Sequence, residues 1–281
     1  MNETLRTVDG RSVLHMERRF AHPPQKVWRA ITEPAHLTQW FPSDVAVDLR
    51  VGGEIRFDFR AGEGPSLTGT VTELDPPRVI AYTWGKDLLH FELRPDGGGC
   101  LLVFTHTFDD RAGAASFASG WQVCLAGLGN VLDGEPVESP TDMAALHEEY
   151  VEAFGLAEGT SEDTADGWRV RFERQLTRPA EAVWTLLAPG PVAVGDPAPV
   201  THPRVPAGAV TAVEAPRLLE YDWLHDGQPA GRVRWELTTG TGHGARLIVT
   251  QTGPRELAGA RSAALDAWHE QIERLAKRLL A

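Results

Sequence analysis

The sequence predicts an α+β fold built from two copies of one domain, each a curved antiparallel sheet wrapped around a long C-terminal helix, with the second copy trimmed. Three observations predict this fold. Four sequence blocks recur in the same order in the two halves of the 281 residues. In each copy, segments of period two follow a short helical segment. Each copy then ends in a long amphipathic segment that carries Trp121 or Trp268.

The repeat is clearest in two pairs of blocks. Residues 17–28 (ERRFAHPPQKVW) match residues 173–184 (ERQLTRPAEAVW) at an offset of 156 residues. Residues 69–84 (GTVTELDPPRVIAYTW) match residues 208–223 (GAVTAVEAPRLLEYDW) at an offset of 139. The second copy therefore lacks 17 residues between these blocks, where a run with six prolines (residues 188–206) lies.

The first copy begins with a predicted strand over residues 13–20. Pro23 or Pro24 suits the start of a helix, which Pro34 ends. A second short helix (AHLTQWF) follows. The predicted strands of the meander, separated by the turn signals DPP, GKD and DGGG, are EIRFDF, LTGTVTEL, RVIAYTW, LHFELRP and CLLVFTHTF.

The last element of the first copy is a helix over residues 116–132. Its apolar face contains Trp121, Leu125, Leu128 and Leu132. A sheet with one apolar face needs a cover, and this segment has the required length and apolar stripe. We expect a space between sheet and helix, lined by aromatic side chains that point inward.

The second copy repeats this order with fewer parts. Proline lacks the N–H that a sheet ladder needs, so the proline-rich run replaces the second helix and the EIRFDF strand of the first copy. The second sheet is therefore predicted to be trimmed at one edge. Its predicted elements are a strand over 168–176, a helix over 179–187, strands near 208–214, 217–224, 231–239 and 245–252, and a final helix over 257–280.

The predicted domain boundaries follow the repeat and the charge. Residues 1–155 form the first domain, including an extra helix near 143–154, and residues 168–281 form the second. Residues 133–166 contain eleven Asp and Glu and no Lys or Arg, in a chain of net charge −12. Residues 156–167, small, polar and acidic, are predicted to be a flexible linker. We expect the two copies to pack against each other within the chain.

The composition argues against several classes of protein. An acidic chain without a basic stripe is a poor nucleic-acid binder, and no run of about 18 apolar residues predicts a membrane span. The polar first residues lack the apolar core of a signal peptide, so we expect a cytoplasmic protein whose Cys100 and Cys124 are reduced thiols. The histidines show no close ligand spacing, so no metal or other cofactor is expected.

The matched segments carry a family resemblance. The segments RFAHPPQKVWRAITEPAHLTQWF, VGGEIRFDF, GTVTELDPPRVIAYTW, LVFTHTF and GWQVCLAGLGNVL resemble the Bet v 1/START-like (SRPBCC) superfamily. Within it they resemble the bacterial branch of the Hsp90-ATPase-activator homologues, which includes members from polyketide and enediyne antibiotic clusters. The resemblance covers residues 13–154 well and the second copy in part. It implies a helix-grip fold and often an apolar ligand cavity.

The candidate ligand site lies in the first copy. Period two places His106 on one strand face with Leu102, Phe104 and Phe108, where it would be a polar group in an apolar cavity. No catalytic residues or metal ligands are assigned. The predicted ligand-binding residues are Trp40, Phe57, Phe59, Val71, Trp84, Phe91, His106 and Trp121.

Three functions fit these observations. The leading hypothesis is binding, sequestration or carriage of an apolar or polycyclic small molecule, in natural-product biosynthesis or self-resistance. The second is a cyclase-like enzyme that uses His106 in the cavity. No acid–base pair accompanies His106 in the sequence, so binding is favoured over catalysis. The third, by analogy with the Hsp90 activators, is a chaperone co-regulator that acts through a surface.

Overall fold

The computed structural model of the chain consists of two compact units, Met1–Met143 and Ala144–Ala281. The structure describes residues 3–59, 66–137, 142–242 and 244–280. Both units are α+β, and in each an antiparallel sheet is followed by a long helix. The predicted fold class is confirmed.

The described residues of the first unit form an eight-stranded sheet and three α-helices. Its strands run in the order β1-β2-β8-β7-β6-β5-β4-β3, with every neighbouring pair antiparallel. The elements are β1 (Thr4–Val8), β2 (Arg11–Phe20), α1 (Pro24–Thr32), α2 (Pro34–Trp40), β3 (Ser43–Val47), β4 (Glu54–Phe59), β5 (Leu67–Asp75), β6 (Val79–Trp84), β7 (Asp87–Asp96), β8 (Gly99–Phe108) and α3 (Ala114–Asp133).

The strands form where alternate residues are apolar, because every second side chain then faces the core. On β8, Leu102, Phe104, His106 and Phe108 are fully buried, as period two predicts. The helix α3 follows a turn over Arg111–Gly113 and covers this face with its predicted stripe.

The hairpin β1–β2 was absent from the sequence prediction. Its two-residue turn is Asp9-Gly10, and both residues have positive φ, 49° and 81°. An Asp-Gly turn of this kind matches the twist of the strands that it joins, and it is a recognised hairpin signal. The Asp-Gly signal is present in the sequence VDGRS. Strand β1 itself is hard to recognise from the sequence because it has only five residues and a partly exposed side-chain pattern.

The second unit contains a six-stranded sheet and three α-helices among its described residues. The strand order is β11-β12-β13-β14-β10-β9. The elements are α4 (Met143–Ala153), β9 (Thr160–Thr164), β10 (Gly167–Gln175), α5 (Ala180–Leu187), β11 (Ala207–Glu214), β12 (Leu218–His225), β13 (Gln228–Thr239), β14 (Ala245–Pro254) and α6 (Arg261–Leu280).

The predicted trimming of the second sheet is confirmed. Strands β9 to β14 repeat the order of β1, β2 and β5 to β8, and the edge formed by β4 and β3 has no counterpart. The proline-rich run retains one backbone hydrogen bond of that edge. The Gly195 N–H donates to the Val210 carbonyl at 2.9 Å, just as the Gly52 N–H donates to the Val71 carbonyl at 2.8 Å. The run therefore replaces two strands with a single turn that closes the sheet at β11.

The predicted linker and domain boundary are wrong. Residues 160–164 form strand β9, which pairs with β10 along its whole length. Helix α4 lies in the second unit, not at the end of the first, apart from its first residue. The physical reason is a buried ion pair: the Arg174 guanidinium, 2% exposed, contacts Glu148 of α4 at 2.5 Å and Glu273 of α6 at 2.9 Å. Glu148, one of the acidic residues that suggested a solvated connector, is neutralised by Arg174 inside the second unit.

We predict that Glu148→Gln destabilises the second unit by roughly 2 kcal/mol. Breaking a buried pair leaves a buried charge and costs about 3–5 kcal/mol. The loss here is smaller because Glu273 still neutralises Arg174. The measurement is the free energy of unfolding from urea denaturation. The matched control is Glu149→Gln, the same change at an exposed neighbour. Equal stability of the two variants would contradict the role given to α4.

Candidate functional site

The predicted ligand residues meet in one aromatic cluster between the sheet and α3 of the first unit. Ring-centroid distances of 4.5–6.5 Å connect its members in a continuous network. Seven of the eight predicted residues belong to the network. The rings in the network are those of Trp40, Phe41, Phe57, Phe59, Tyr82, Trp84, Phe91, Phe104, His106, Phe108, Phe117 and Trp121.

Two predicted residues lie at the margin of the cluster. Trp40 contacts it through the ring of Phe41 at 5.5 Å, and its indole N–H donates to the Ala30 carbonyl oxygen at 2.9 Å. Val71 is buried on β5 opposite Tyr82 of β6, so it flanks the rings as an aliphatic neighbour. Both help to shape the cluster from outside its centre.

Five ring residues of the cluster are not among the ligand-binding residues that the sequence predicts. Tyr82 lies two residues before Trp84 on the same strand face, and Phe117 lies one helical turn before Trp121. Phe104 and Phe108 had been placed on the face of His106 without being assigned to the site. These four could have been found from periodicity alone. Phe41 follows the end of α2 and enters the cluster only through the fold.

Trp121 lies at the centre of the cluster and contacts rings from the sheet and from the segment after α2. Its ring lies 4.5 Å from Phe104, 5.7 Å from Phe41 and 5.9 Å from Trp84, measured between centroids. Its indole N–H donates a hydrogen bond to Nδ1 of His106 at 3.1 Å. The bond joins the middle of α3 to the centre of the sheet, so it fixes the helix over these rings.

The partners of His106 determine its protonation. An indole can only donate, so Nδ1 of His106 carries no proton. Nε2 lies 3.0 Å from a carboxylate oxygen of Asp87 and therefore donates its proton there. Burial lowers the pKa of His106 below its usual 6.5, and the hydrogen bond to Asp87 offsets part of this effect. His106 is a neutral histidine with both nitrogens engaged.

This arrangement does not support the hypothesis that His106 is a catalytic base. A general base needs a free lone pair within reach of a substrate proton. The Nδ1 lone pair accepts the indole N–H, and Nε2 donates to Asp87. Asp87 in turn lies 4.0 Å from the guanidinium of Arg11, which contacts Asp109 at 2.7 Å. Together these contacts orient His106 so that it accepts the Trp121 indole hydrogen bond, which is a structural role.

The second unit repeats the helix-to-sheet bond with different chemistry. The Trp268 indole N–H donates to Oε1 of Gln251 at 2.7 Å. The rings of Trp235 and Trp268 meet edge to face at 5.6 Å, as those of Phe91 and Trp121 do at 6.5 Å. A neutral amide thus stands where the first unit has a titratable histidine.

The partner of the histidine is also replaced in the second unit. Strand register places Asp87 opposite Trp84, and it places Gly231 opposite Trp223. A Cβ atom added at Gly231 would lie 2.0 Å from the Thr252 carbonyl oxygen and 3.1 Å from the Trp223 ring. The neighbouring backbone therefore leaves no room for a side chain at this position, and the second core has neither the carboxylate nor the imidazole of the first.

A groove of about 650 Å³ lies in the second unit, near the start of α5 and the β13–β14 turn. Its two arginines are already paired: Arg217 with Glu214, and Arg234 with Glu220 and Glu236. A charged ligand would have to displace these pairs. The groove is therefore a weaker candidate than the aromatic cluster.

The described residues contain neither a cluster of metal-ligating side chains nor a helix suited to span a membrane. Within them, no three or more His, Cys, Asp or Glu side chains are grouped so as to hold a metal ion. None of the helices in the described ranges has the length and apolar character needed to cross a membrane.

The comparison with protein families agrees with the repeat. The family model described as "Activator of Hsp90 ATPase homolog 1-like protein" matches residues 21–133 and 192–279. No curated protein sequence matches the chain. Among solved structures, EF2215 of Enterococcus faecalis, a conserved protein of unknown function, is 25% identical, covers 54% of this chain and 90% of its own, and has a TM-score of 0.47. CalU16 of Micromonospora echinospora is 23% identical, covers 55% of this chain and 95% of its own, and has a TM-score of 0.43.

We predict that acid destabilises the first unit through His106. The folded-state pKa of His106 is lowered, so below about pH 6.5 the unfolded chain binds the proton first. Stability is fully present above that pH and falls as the pH drops below it. His106→Gln keeps an acceptor for Trp121 and removes this dependence. The measurement is the difference in the free energy of unfolding between wild type and variant from pH 7.5 to pH 5.

The repeat provides the reciprocal control. Gln251→His places an imidazole beside Trp268 in the second unit, where Gly231 offers no carboxylate, and should introduce a new loss of stability below pH 6.5. If the wild type and the His106→Gln variant had the same pH profile, the assigned protonation state of His106 would be incorrect.

Proposed function

Because the chain belongs to the Activator of Hsp90 ATPase homolog 1-like family, we propose that its first unit binds an apolar or polycyclic small molecule at the aromatic cluster. The observation that carries the proposal is the continuous set of rings between sheet and α3. Aromatic rings supply large apolar contact area and stack on flat ligands. This cluster has the chemistry of a site for a planar, uncharged ring system.

The proposed point of entry is the end of the cluster where rings reach solvent. Phe59, Trp84 and Phe117 are partly exposed, whereas Phe57, Phe91 and His106 are buried. The ring of Phe59 packs on Trp84 at 6.4 Å. A flat ligand that slides beside Trp84 would exchange contacts with water for contacts with rings on both of its faces.

The second unit supports this placement by contrast. It lacks the β3–β4 edge that supplies Phe57 and Phe59 to the first unit. Trp168 and Trp223 pack together at 5.5 Å, and a Cβ atom added at Gly253 would lie 2.4 Å from the Trp168 ring. The second unit therefore has fewer rings to offer a flat ligand, and we assign ligand binding to the first unit.

Sequestration or carriage is the form of binding that we propose, since His106 offers no free base. Polyketide and enediyne natural products have the polycyclic, uncharged chemistry that the cluster suits. Binding such a product would serve its biosynthesis or the self-resistance of the producing cell. Native mass spectrometry of the purified chain tests this directly, because a retained ligand adds its mass to that of the protein.

We predict that planar polycyclic compounds bind the first unit and raise its melting temperature. Fluorene, a flat hydrocarbon, is the test ligand, with a long-chain fatty acid for comparison. Phe59→Leu keeps an apolar side chain but removes a ring at the entry, so fluorene affinity should fall about threefold to tenfold. Isothermal titration calorimetry measures the affinity, and hydrogen exchange should show ligand protection in α3 and β6–β8.

The matched control is Phe20→Leu. Phe20 is also a partly exposed phenylalanine of the first unit, and it lies on β2 near Gly129 at the far end of α3. Its replacement should leave fluorene affinity unchanged. The proposal fails if none of the planar compounds binds, and the placement fails if protection appears in α6 and β12–β14 instead.

A second candidate function is co-regulation of an Hsp90-type chaperone, which the description of the matching family favours. This activity would require a surface for the chaperone and not the buried cluster. We predict that, if it holds, the full chain changes the ATPase rate of Hsp90 and that Phe59→Leu leaves this change intact. An unchanged ATPase rate at saturating chain would remove this candidate.

A further inference from the structure

We propose that the ligand of the first unit carries a neutral carbonyl oxygen that accepts hydrogen bonds from Trp84 and Ser43. This inference rests on the proposed function, because it specifies the ligand of the same site. It is carried by two buried polar atoms that have no hydrogen-bond partner within residues 3–59, 66–137, 142–242 and 244–280, the Trp84 Nε1 atom and the Ser43 Oγ atom.

Trp84 ends β6 at the entry of the cluster. Its ring lies 5.9–6.4 Å from the rings of Phe41, Phe57, Phe59, His106 and Trp121. The neighbouring Trp121 donates its indole N–H to His106, but the Trp84 N–H is buried and donates to no atom of the residues that the structure describes. An indole can only donate, so the missing partner must be an acceptor.

Ser43 begins β3 and is 0% exposed. It is paired with Phe59 of β4, so the two side chains lie on the same face of the sheet. The Phe59 ring also packs on Trp84, so Ser43 and Trp84 are both neighbours of Phe59. The two do not bond to each other, since neither has a partner.

Unpartnered buried polar groups are rare because each forfeits its hydrogen bonds to water. A site that holds such groups favours a ligand that completes them and disfavours one that cannot. A carbonyl oxygen has two lone pairs and accepts from an N–H and an O–H at once. Trp84 and Ser43 therefore match one carbonyl on the edge of a flat ring system.

The cluster favours a neutral oxygen over a carboxylate. Its titratable members are His106 and Tyr82, and burial favours the uncharged form of each. A carboxylate would add a negative charge to a buried site where Asp87 is already the partner of His106. An aryl ketone or a quinone is the chemical class that fits.

The polar pair is a feature of the first unit. Trp223 of β12 occupies the position of Trp84, but the second sheet has no strand that corresponds to β3. No position equivalent to Ser43 exists there. The two residues proposed to recognise the carbonyl therefore both lie in the first unit, to which we assign ligand binding.

The test uses two ligands that differ by one carbonyl, 9-fluorenone and fluorene, with the full chain and isothermal titration calorimetry. Wild type should bind fluorenone about tenfold more tightly than fluorene, the combined effect of two hydrogen bonds whose net gain over water is modest. Ser43→Ala should abolish most of this preference while changing fluorene affinity less than twofold. Trp84→Phe also removes ring contact area, so it should weaken binding of both ligands, but it should weaken fluorenone binding by a several-fold larger factor than fluorene binding. Trp223→Phe, the same change at the matched position of the second unit, should leave both affinities as in wild type.

A stability measurement separates ligand recognition from a structural role. Ser43→Ala removes an unpartnered hydroxyl, so the melting temperature of the ligand-free chain should stay the same or rise. A lower melting temperature together with equal losses for both ligands would show that the hydroxyl supports the fold, and it would overturn the inference.

The remaining outcomes distinguish this inference from the proposed function. If fluorene and fluorenone bind wild type equally well, carbonyl recognition is wrong and binding of planar apolar ligands stands. If neither ligand binds, the proposed function fails for planar polycyclic compounds, and this inference fails with it.

Discussion

A hydrogen bond from a tryptophan of the long helix to a side chain at the centre of the sheet organises both units. Trp121 donates to His106 in the first unit, and Trp268 donates to Gln251 in the second. A buried indole N–H without an acceptor is costly, so each helix must keep its tryptophan over one strand residue. The contacts of the ring with its neighbours follow from that position.

The two units keep this bond but differ in what surrounds it. In the first, the acceptor is a titratable histidine held by Asp87, and the sheet extends to β3. In the second, the acceptor is an amide, and the sheet ends at β11. Both copies of the domain have the hydrogen bond from helix to sheet, but the residues that surround this bond differ between the copies. This difference is why we place the ligand in the first unit only.

Much of the aromatic cluster could be predicted because its residues follow simple periods. Period two on β4, β6, β7 and β8 turned Phe57, Trp84, Phe91 and His106 inward, and helical spacing turned Trp121 toward them. The partner of His106 could not be predicted this way. Asp87 reaches His106 through the register of β7 and β8, and register depends on the whole sheet. The unpartnered atoms of Trp84 and Ser43 are likewise properties of burial and not of spacing.

The sequence by itself determined the duplication, the order of most elements and the trimmed edge, since repeats, periodicity and proline content are properties of neighbours along the chain. The tertiary structure decided which unit holds α4, that residues 160–164 form a strand, and that His106 is a neutral acceptor. The acidic segment shows the reason most clearly. Glu148 belongs to a run of acidic residues that suggests solvent exposure, but Arg174, 26 residues away in sequence, binds it in the fold. Charge compensation depends on distance in space, which a linear pattern does not contain.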